Sequence, residues 1–289
     1  MTASTQRRGP AVLKRAFLDA CALELRALKP GNVHDYADGH GMTVADFLLS
    51  AKRAAAPLCL PGCGIGERIR AAVAATRRGV GVNTNLGIVL LAAPLIAAAE
   101  RAGAAGGLRA ALSDALRALT HEDAVAAYDA IRLANPGGLG RSEREDVAGA
   151  PSVTLREAMA LAAGRDRVAR QYVTDYADVF AVGVAGLADS AAAGISEDWA
   201  TSRVYMSFLA AFPDSHVARK HGSAVAEEVR QAASSLAARL AAAAAPQRLI
   251  PELLAFDAAL KERGINPGTS ADLTVASLLA RALERLTKP

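Results

Sequence analysis

Side chains able to do chemistry concentrate in the turns of this 289-residue chain. Five carboxylates, Glu24, Asp35, Asp166, Asp214 and Asp272, fall in or beside polar segments that interrupt long apolar runs. Carboxylates gathered on one site can divide the work: one takes a proton, another steadies a cationic centre, and one or two with phosphate oxygens and water suit Mg²⁺. The segment Gly79-Val-Gly-Val-Asn83-Thr84-Asn85-Leu86-Gly87 brings two amides, a hydroxyl and three glycines to the start of an apolar run. Core packing gives no reason to gather groups that must each be desolvated and paired, whereas a polar ligand does.

Four other segments share this character: Lys29 to His34, Asn135 to Gly140, Asp214 to Gly222 and Asn266 to Asp272. Helix amino termini at such turns hold phosphate through unpaired N–H groups and the macrodipole. Turn and cap chemistry explains any one of them, but five together point to one site. Taken alone, Asp272 reads as a first-turn acid favoured by the helix dipole, and Asp166 with Arg170 as a surface i,i+4 pair. His34, His216 and His221 lie in these turns, while His40 and His121 do not stand out. The five-residue spacing of His216 and His221 differs from a helical zinc pair, which leaves acid/base, phosphate-binding or structural hydrogen-bond roles open. Arg219 and Lys220 are the local cations for phosphate, with solvated surface charge as the alternative. Gly62, Gly64 and Gly66 follow no strand pattern, so neither a dinucleotide fingerprint nor a P-loop is supported.

The elements that must position these groups are helices. The chain is rich in Ala and Leu, with aromatic residues only 4% of the whole, and strand-forming runs are scarce. An all-α fold follows, a single multi-helical domain over residues 1–289 with its site in inter-helix turns and residues 1–10 flexible. The first helix is expected from Ala11 to Leu28, stopped by Lys29-Pro30-Gly31, with Leu13, Phe17, Cys21 and Leu28 buried and Glu24 on that same side. An acid there needs a partner or a job. Capping boxes at Thr43–Asp46 and Thr154–Glu157 open two more helices, the second running through Tyr172 towards Phe180. Pro57 to Gly66 and the charged Arg141 to Gly149 read as loops, and an amphipathic helix from Leu273 to Leu286 closes the chain.

The net charge of +4 is spread without a Lys/Arg block, which argues against a nucleic-acid face. The uncharged run from Gly79 to Ala99 is long enough to span a bilayer, but Asn83, Thr84, Asn85 and Pro94 mark it as a buried helix entered through a polar turn. Three cysteines without zinc spacing and no apolar signal core at the start suggest a reduced, cytoplasmic protein. Homodimerisation is compatible with so apolar a helical chain.

In order, these segments resemble the triphosphoribosyl-dephospho-CoA synthase family from about Glu24 to Leu283. The resemblance is carried by Glu24 with Lys29-Pro30-Gly31-Asn32-Val33, by Gly81-Val82-Asn83-Thr84 with Gly87, and by Met159-Ala-Leu-Ala-Ala with Arg165-Asp166 and Arg170-Gln171-Tyr172. Asp214 with Val217 and Gly222, and Pro267-Gly268 with Ser270-Ala-Asp272-Leu273, complete it. The resemblance implies ATP and dephospho-CoA as substrates: the acceptor's 2′-hydroxyl attacks the ribose C1′ of ATP, adenine leaves, and the triphosphate stays on the transferred ribose. It implies Mg²⁺ held by Asp166 and Asp272, and catalytic work by Glu24 or Asp214. Lys29, Gly31, Asn83, Thr84, Asn85, Gly87, Arg170, His216, Arg219, Lys220, Gly268 and Ser270 are then the nucleotide-binding set. After Val-Asn-Thr the family pattern continues His-Lys-Gly, where this chain has Asn85-Leu86-Gly87. That departure leaves two alternatives open: another phosphorylated or nucleotide-like substrate in pterin or furan cofactor biosynthesis, and a non-catalytic nucleotide-binding protein.

Overall fold

The computed structural model of the chain describes residues 9–102, 107–140, 142 and 144–287, which form fourteen α-helices and no strand. In chain order these are α1 Pro10–Arg26, α2 Val44–Leu58, α3 Ile65–Val80, α4 Leu86–Arg101, α5 Gly107–Arg117, α6 His121–Ala134 and α7 Leu155–Ala162. Then come α8 Arg167–Val173, α9 Ala185–Ala192, α10 Glu197–Ala211, α11 Ser215–His221, α12 Ser223–Ala242, α13 Ile250–Glu262 and α14 Gly268–Thr287. A π-helical turn, Val179–Val184, runs into α9, and a 3₁₀ turn, Pro246–Leu249, runs into α13.

Helix α4 is apolar all round, and every residue from Ile88 to Ala99 is buried. Its composition requires this, because a helix without a polar face has nothing to show water. Pro94 inside it has no N–H and leaves the Leu90 carbonyl without its helical donor. Tyr172 donates its hydroxyl to that oxygen at 2.6 Å, and Tyr176 donates to the Leu91 oxygen at 2.9 Å. Two buried tyrosines thus supply bonds at the proline site, where unpaired carbonyls would be costly. Helix α14 packs against α4, α1, α10 and the π turn. At Gly183 in that turn a Cβ would meet the Ser277 hydroxyl at 1.8 Å, so only glycine permits the approach.

Two apolar clusters fill the interior. The larger takes α1 to α9, one face of α10 and most of α14, and the smaller takes the other face of α10 and α11 to α13 with Leu28 and Ala271. Leu28 follows α1 and Ala271 opens α14, so the polar turns at these two places lie on the seam between the clusters.

The predicted buried face of α1 holds, including Glu24, but the helix ends at Arg26 and Leu28 is buried beyond it. Both predicted capping boxes form. Pro57 lies within the last turn of α2, so the loop there is shorter than predicted. The single helix predicted from Thr154 to Phe180 is broken: Asp166 accepts from the N–H groups of Val168 and Ala169 and starts α8 afresh, and Asp175 and Tyr176 adopt φ of 50° and 62° after it. The closing helix starts at Gly268, earlier than Leu273, and Ser215 to His221 is itself helical. The flexibility predicted for residues 1–10 falls largely outside the described residues; Gly9 and Pro10 cap and open α1. Among the described residues no helix is long and apolar enough to cross a membrane.

Candidate active site

A cleft of about 710 Å³ opens on the seam, and all five polar turns reach it. Its walls include Glu24 and Asn32, Val82 to Ile88, Asn135 to Pro136 with Leu139, Asp166, Ser215 to His216 with Arg219 and Lys220, and Asn266 to Asp272 in part. Aliphatic side chains of α4, α6 and α7, among them Ile88, Ile131 and Leu155, line it as well. The size and mixed lining suit a small molecule with apolar and charged parts.

Glu24 is 3% exposed, and its carboxylate ion-pairs with the Lys29 ammonium, which is wholly buried behind it. Lys29 also donates to Asn32 Oδ1 at 3.1 Å, and Asn32 Nδ2 donates to Asn266 Oδ1 at 2.8 Å. The chain Glu24–Lys29–Asn32–Asn266 therefore links the end of α1 to the turn before α14. Burial pushes the Glu24 carboxyl up and the Lys29 ammonium down, and the charge of each opposes the other's shift. Tyr205 fixes the intervening turn by donating to the Pro30 carbonyl at 2.7 Å. Gly31 takes φ +82° with Leu260 and Pro267 pressed against it, so a side chain is excluded there.

Asp214 is buried with all its near bonds made inside the protein. Oδ1 accepts from the N–H groups of His216 and Val217 at 2.9 and 3.1 Å, and Oδ2 accepts from the Ser270 N–H and hydroxyl at 2.7 and 2.8 Å. One carboxylate thereby caps α11 and ties it to α14. Burial raises its pKa against the pull of these four bonds.

Ahead of α4, Asn83 Oδ1 accepts from the Leu86 N–H at 3.2 Å, Thr84 Oγ1 shares a hydrogen bond with Ser50 at 2.5 Å, and Asn85 Nδ2 donates to Thr76 at 3.2 Å. No side chain of its N-cap residue satisfies the start of α4, unlike α8 and α11, which Asp166 and Asp214 cap. Gly87 lies directly against Asp272, for a Cβ there would stand 2.0 Å from Oδ2. The Asp272 carboxylate makes no hydrogen bond with a described residue and lines the cleft. Burial, then the charges of Asp214, Glu24 and Asp166, raise its pKa well above the usual carboxylate range, with Arg219 opposing.

His216 lines the same wall with Nε2 buried and unbonded. Burial and the neighbouring Arg219 and Lys220 push its pKa down to about 3, so the ring is neutral at neutral pH. The ring lies where a Cβ on Gly268 would be, 2.4 Å from Nδ1, which explains that glycine. Arg219 donates from Nε to the Gly137 carbonyl at 3.0 Å and lies 3.9 Å from Asp166.

Of the residues singled out in the sequence, Glu24, Asn83, Thr84, Asn85, Gly87, Asp166, His216, Arg219, Lys220, Gly268 and Asp272 meet on the cleft. Five of the proposed catalytic and nucleotide-binding residues do not line it, nor do Asp35, His34 and His221. Lys29 and Gly31 lie behind the wall, Ser270 and Asp214 are bonded to each other beneath it, and Arg170 points to solvent away from it. Conversely, Asn32, His40, Phe47, Tyr128, Arg165 and Asn266 line the cleft without having been chosen. Asn32 and Asn266 were visible as amides inside the chosen turns. His40, which bonds the Gly31 carbonyl at 2.8 Å, gave only the weak signal of its flanking glycines.

The donors fit a hard divalent cation carried in with a phosphate-rich ligand. Asp272 is an unbonded acid among other acids, and no group of three His, Cys, Asp or Glu residues able to cage an ion exists among the described residues. Mg²⁺ accepts that arrangement because phosphate oxygens and water complete its octahedron.

The sequence matches the model of the CitG family, described as ATP:dephospho-CoA triphosphoribosyl transferase, over residues 10–289. The fold is similar to a crystal structure from Archaeoglobus fulgidus provisionally named triphosphoribosyl-dephospho-CoA synthase, with TM-score 0.61 and 27% identity, covering 81% of this chain and 98% of that one. No curated protein matches in sequence. With the family match spanning nearly all of the chain and a helical relative of the same description, the protein belongs to the ATP:dephospho-CoA triphosphoribosyl transferase family.

Proposed function

We propose that the protein transfers the 5-triphosphoribosyl group of ATP to the 2′-hydroxyl of 3′-dephospho-CoA and releases adenine. The bond from C1′ to the adenine nitrogen breaks, the acceptor oxygen bonds to C1′, and adenine leaves with the electron pair and receives the proton that the acceptor hydroxyl gives up by way of Glu24. Displacement at an anomeric carbon builds oxocarbenium character, which a nearby carboxylate steadies. Glu24 is the residue that takes the acceptor's proton, and the Lys29 charge behind it opposes the upward push of burial on its carboxylate. Asp214, with four donors already on it, serves instead to hold α11 against α14.

The start of α4, where the N-cap residue Asn85 makes no side-chain cap bond, the backbone at Gly87 and Gly268, and the polar turn Asn83–Asn85 face the triphosphate and sugar in this reading. Arg219 and Lys220 supply positive charge, and neutral His216 offers its unbonded nitrogen to a hydroxyl. Asp272 and Asp166 would hold Mg²⁺, which would supply neutralisation of the triphosphate charge and help orient it. The observation that carries the proposal is the meeting of all five polar turns on one cleft around a buried acid.

One observation favours a second reading. Asn85 spends its amide on Thr76 and Leu86 presents an aliphatic chain, so this edge offers no cation to a ligand. A diverged member acting on another phosphorylated acceptor follows from that. Incubation with Mg²⁺, ATP and dephospho-CoA separates the two: free adenine matched by triphosphoribosylated dephospho-CoA supports the first, and adenine released only with a different acceptor supports the second.

A further inference from the structure

Three aliphatic side chains stand at the cleft with much of their surface in water. Val82 ahead of α4, Leu139 in the glycine turn and Leu161 at the end of α7 are 46%, 45% and 37% exposed, and all three line the cleft. Single exposed aliphatics need no account. Here, three of the eight large exposed apolar side chains among the described residues belong to one cleft and come from three separate elements. The turn carrying Leu139 is built to present it. Gly138 and Gly140 on either side take φ of 74° and 68°, and the Arg219 carbonyl lies 2.8 Å from where a Gly138 Cβ would be.

Cations line the same cleft, near two of these aliphatics along the chain. Arg219 holds the Gly137 carbonyl at 3.0 Å, two residues before Leu139. Lys220 packs its chain against Gly137, with Cε 3.3 Å from a Cβ position there. Arg165 lines the cleft four residues after Leu161. A ligand matching this edge carries an anionic group next to a chain of methylene groups.

We propose that Val82, Leu139 and Leu161 form a subsite for the acceptor's arm beyond its diphosphate, a flexible chain of methylene and amide groups that follows the two phosphates. The assignment rests on the proposed use of a dephospho-CoA-like acceptor. The cations meet the diphosphate, and the aliphatics cover the first part of the arm where it leaves the cleft. Discrimination between the full acceptor and a bare nucleoside diphosphate is then made at this rim and is separate from the chemistry at Glu24.

The test is equilibrium binding of dephospho-CoA and of ADP, by calorimetry, to the full-length wild type and to Val82→Ser, Leu139→Ser, Leu161→Ser and the triple variant. Serine is neutral and leaves the cation balance intact, and circular dichroism with thermal melting verifies folding at these exposed positions. The wild type is expected to bind dephospho-CoA more tightly than ADP. The triple variant is expected to lose about tenfold for dephospho-CoA, the worth of burying roughly two methylenes, while ADP affinity stays unchanged. Equal wild-type affinity for the two ligands, an equal loss for both, or no loss for dephospho-CoA in a folded triple variant would overturn the assignment. Adenine release is measured on the same samples. If adenine never forms while the rim variants still erase the difference in affinity, the proposed reaction falls and the subsite stands.

Discussion

Two interleaved sets of polar groups at the cleft have opposite economies of hydrogen bonding. In one, Glu24, Lys29, Asn32 and Asn266 form a closed chain, and Asp214 answers four donors at once. In the other, Asp272 has no hydrogen-bond partner among the described residues and His216 keeps a buried nitrogen unbonded. Buried polar groups are normally paired, so groups left open are those whose partner arrives later. The tied groups, the tied wall, set geometry, and the open groups among them, the untied wall, meet charge brought by a ligand. Glu24 belongs to both, because its carboxylate is anchored from behind and still borders the cleft.

The largest break in this contrast comes from the tied wall. Lys29→Met strands Glu24 in a buried position and is expected to lower unfolding stability by about 3 to 5 kcal/mol in urea titration. Adding Glu24→Gln to that variant recovers most of the loss, and no recovery would mean that the ion pair is not what binds the segment together. Asp214→Ala is expected to lose about 2 kcal/mol by uncapping α11 and releasing Ser270. A variant as stable as wild type would remove Asp214 from the positioning role.

The untied wall gives smaller, condition-dependent effects. His216 has its pKa depressed from 6.5 to about 3, so the unfolded chain takes up the proton first. Its contribution is full above pH 6.5 and is lost as pH falls from there towards 3. After discounting for its partial exposure this is about 1 to 2 kcal/mol, and His216→Gln should flatten that part of the stability–pH curve. Asp272 works in the other direction: its raised pKa means that the folded protein holds the proton longer, so stability falls as pH rises above the usual carboxylate value. At neutral pH, Asp272→Asn is expected to raise stability by up to about 1 kcal/mol while abolishing Mg²⁺-dependent ATP binding in calorimetry. Weaker stability together with intact binding would contradict its place on the open wall.

How far the sequence reaches follows the same division. Apolar periodicity and capping boxes made the helices legible, and Glu24 declared itself as an acid on the Leu13–Phe17–Cys21 face. The polar turns pointed to one site because each combined glycine with amides or charged side chains. What sequence could not separate was a polar residue facing a ligand from one facing its own scaffold. Asp214 and Asp272 look alike in the chain, both near helix starts, yet one is saturated by Ser270 and α11 and the other is open. Lys29 reads as a phosphate cation until burial assigns it to Glu24. The break at Asp166 and the role of Tyr172 as donor to α4 depend on contacts far apart in sequence, which no local pattern carries.

The decisive measurement is adenine release at saturating Mg²⁺, ATP and dephospho-CoA by wild type, Glu24→Gln and Asp214→Asn, each normalised to folded protein. The wild type should release adenine matched by triphosphoribosylated acceptor. Glu24→Gln should fall by about 10² to 10⁴-fold, as for loss of a general base, while Asp214→Asn stays within about tenfold. Full turnover by Glu24→Gln, or a greater loss in Asp214→Asn, would contradict the assignment of the chemistry to the acid that faces the cleft.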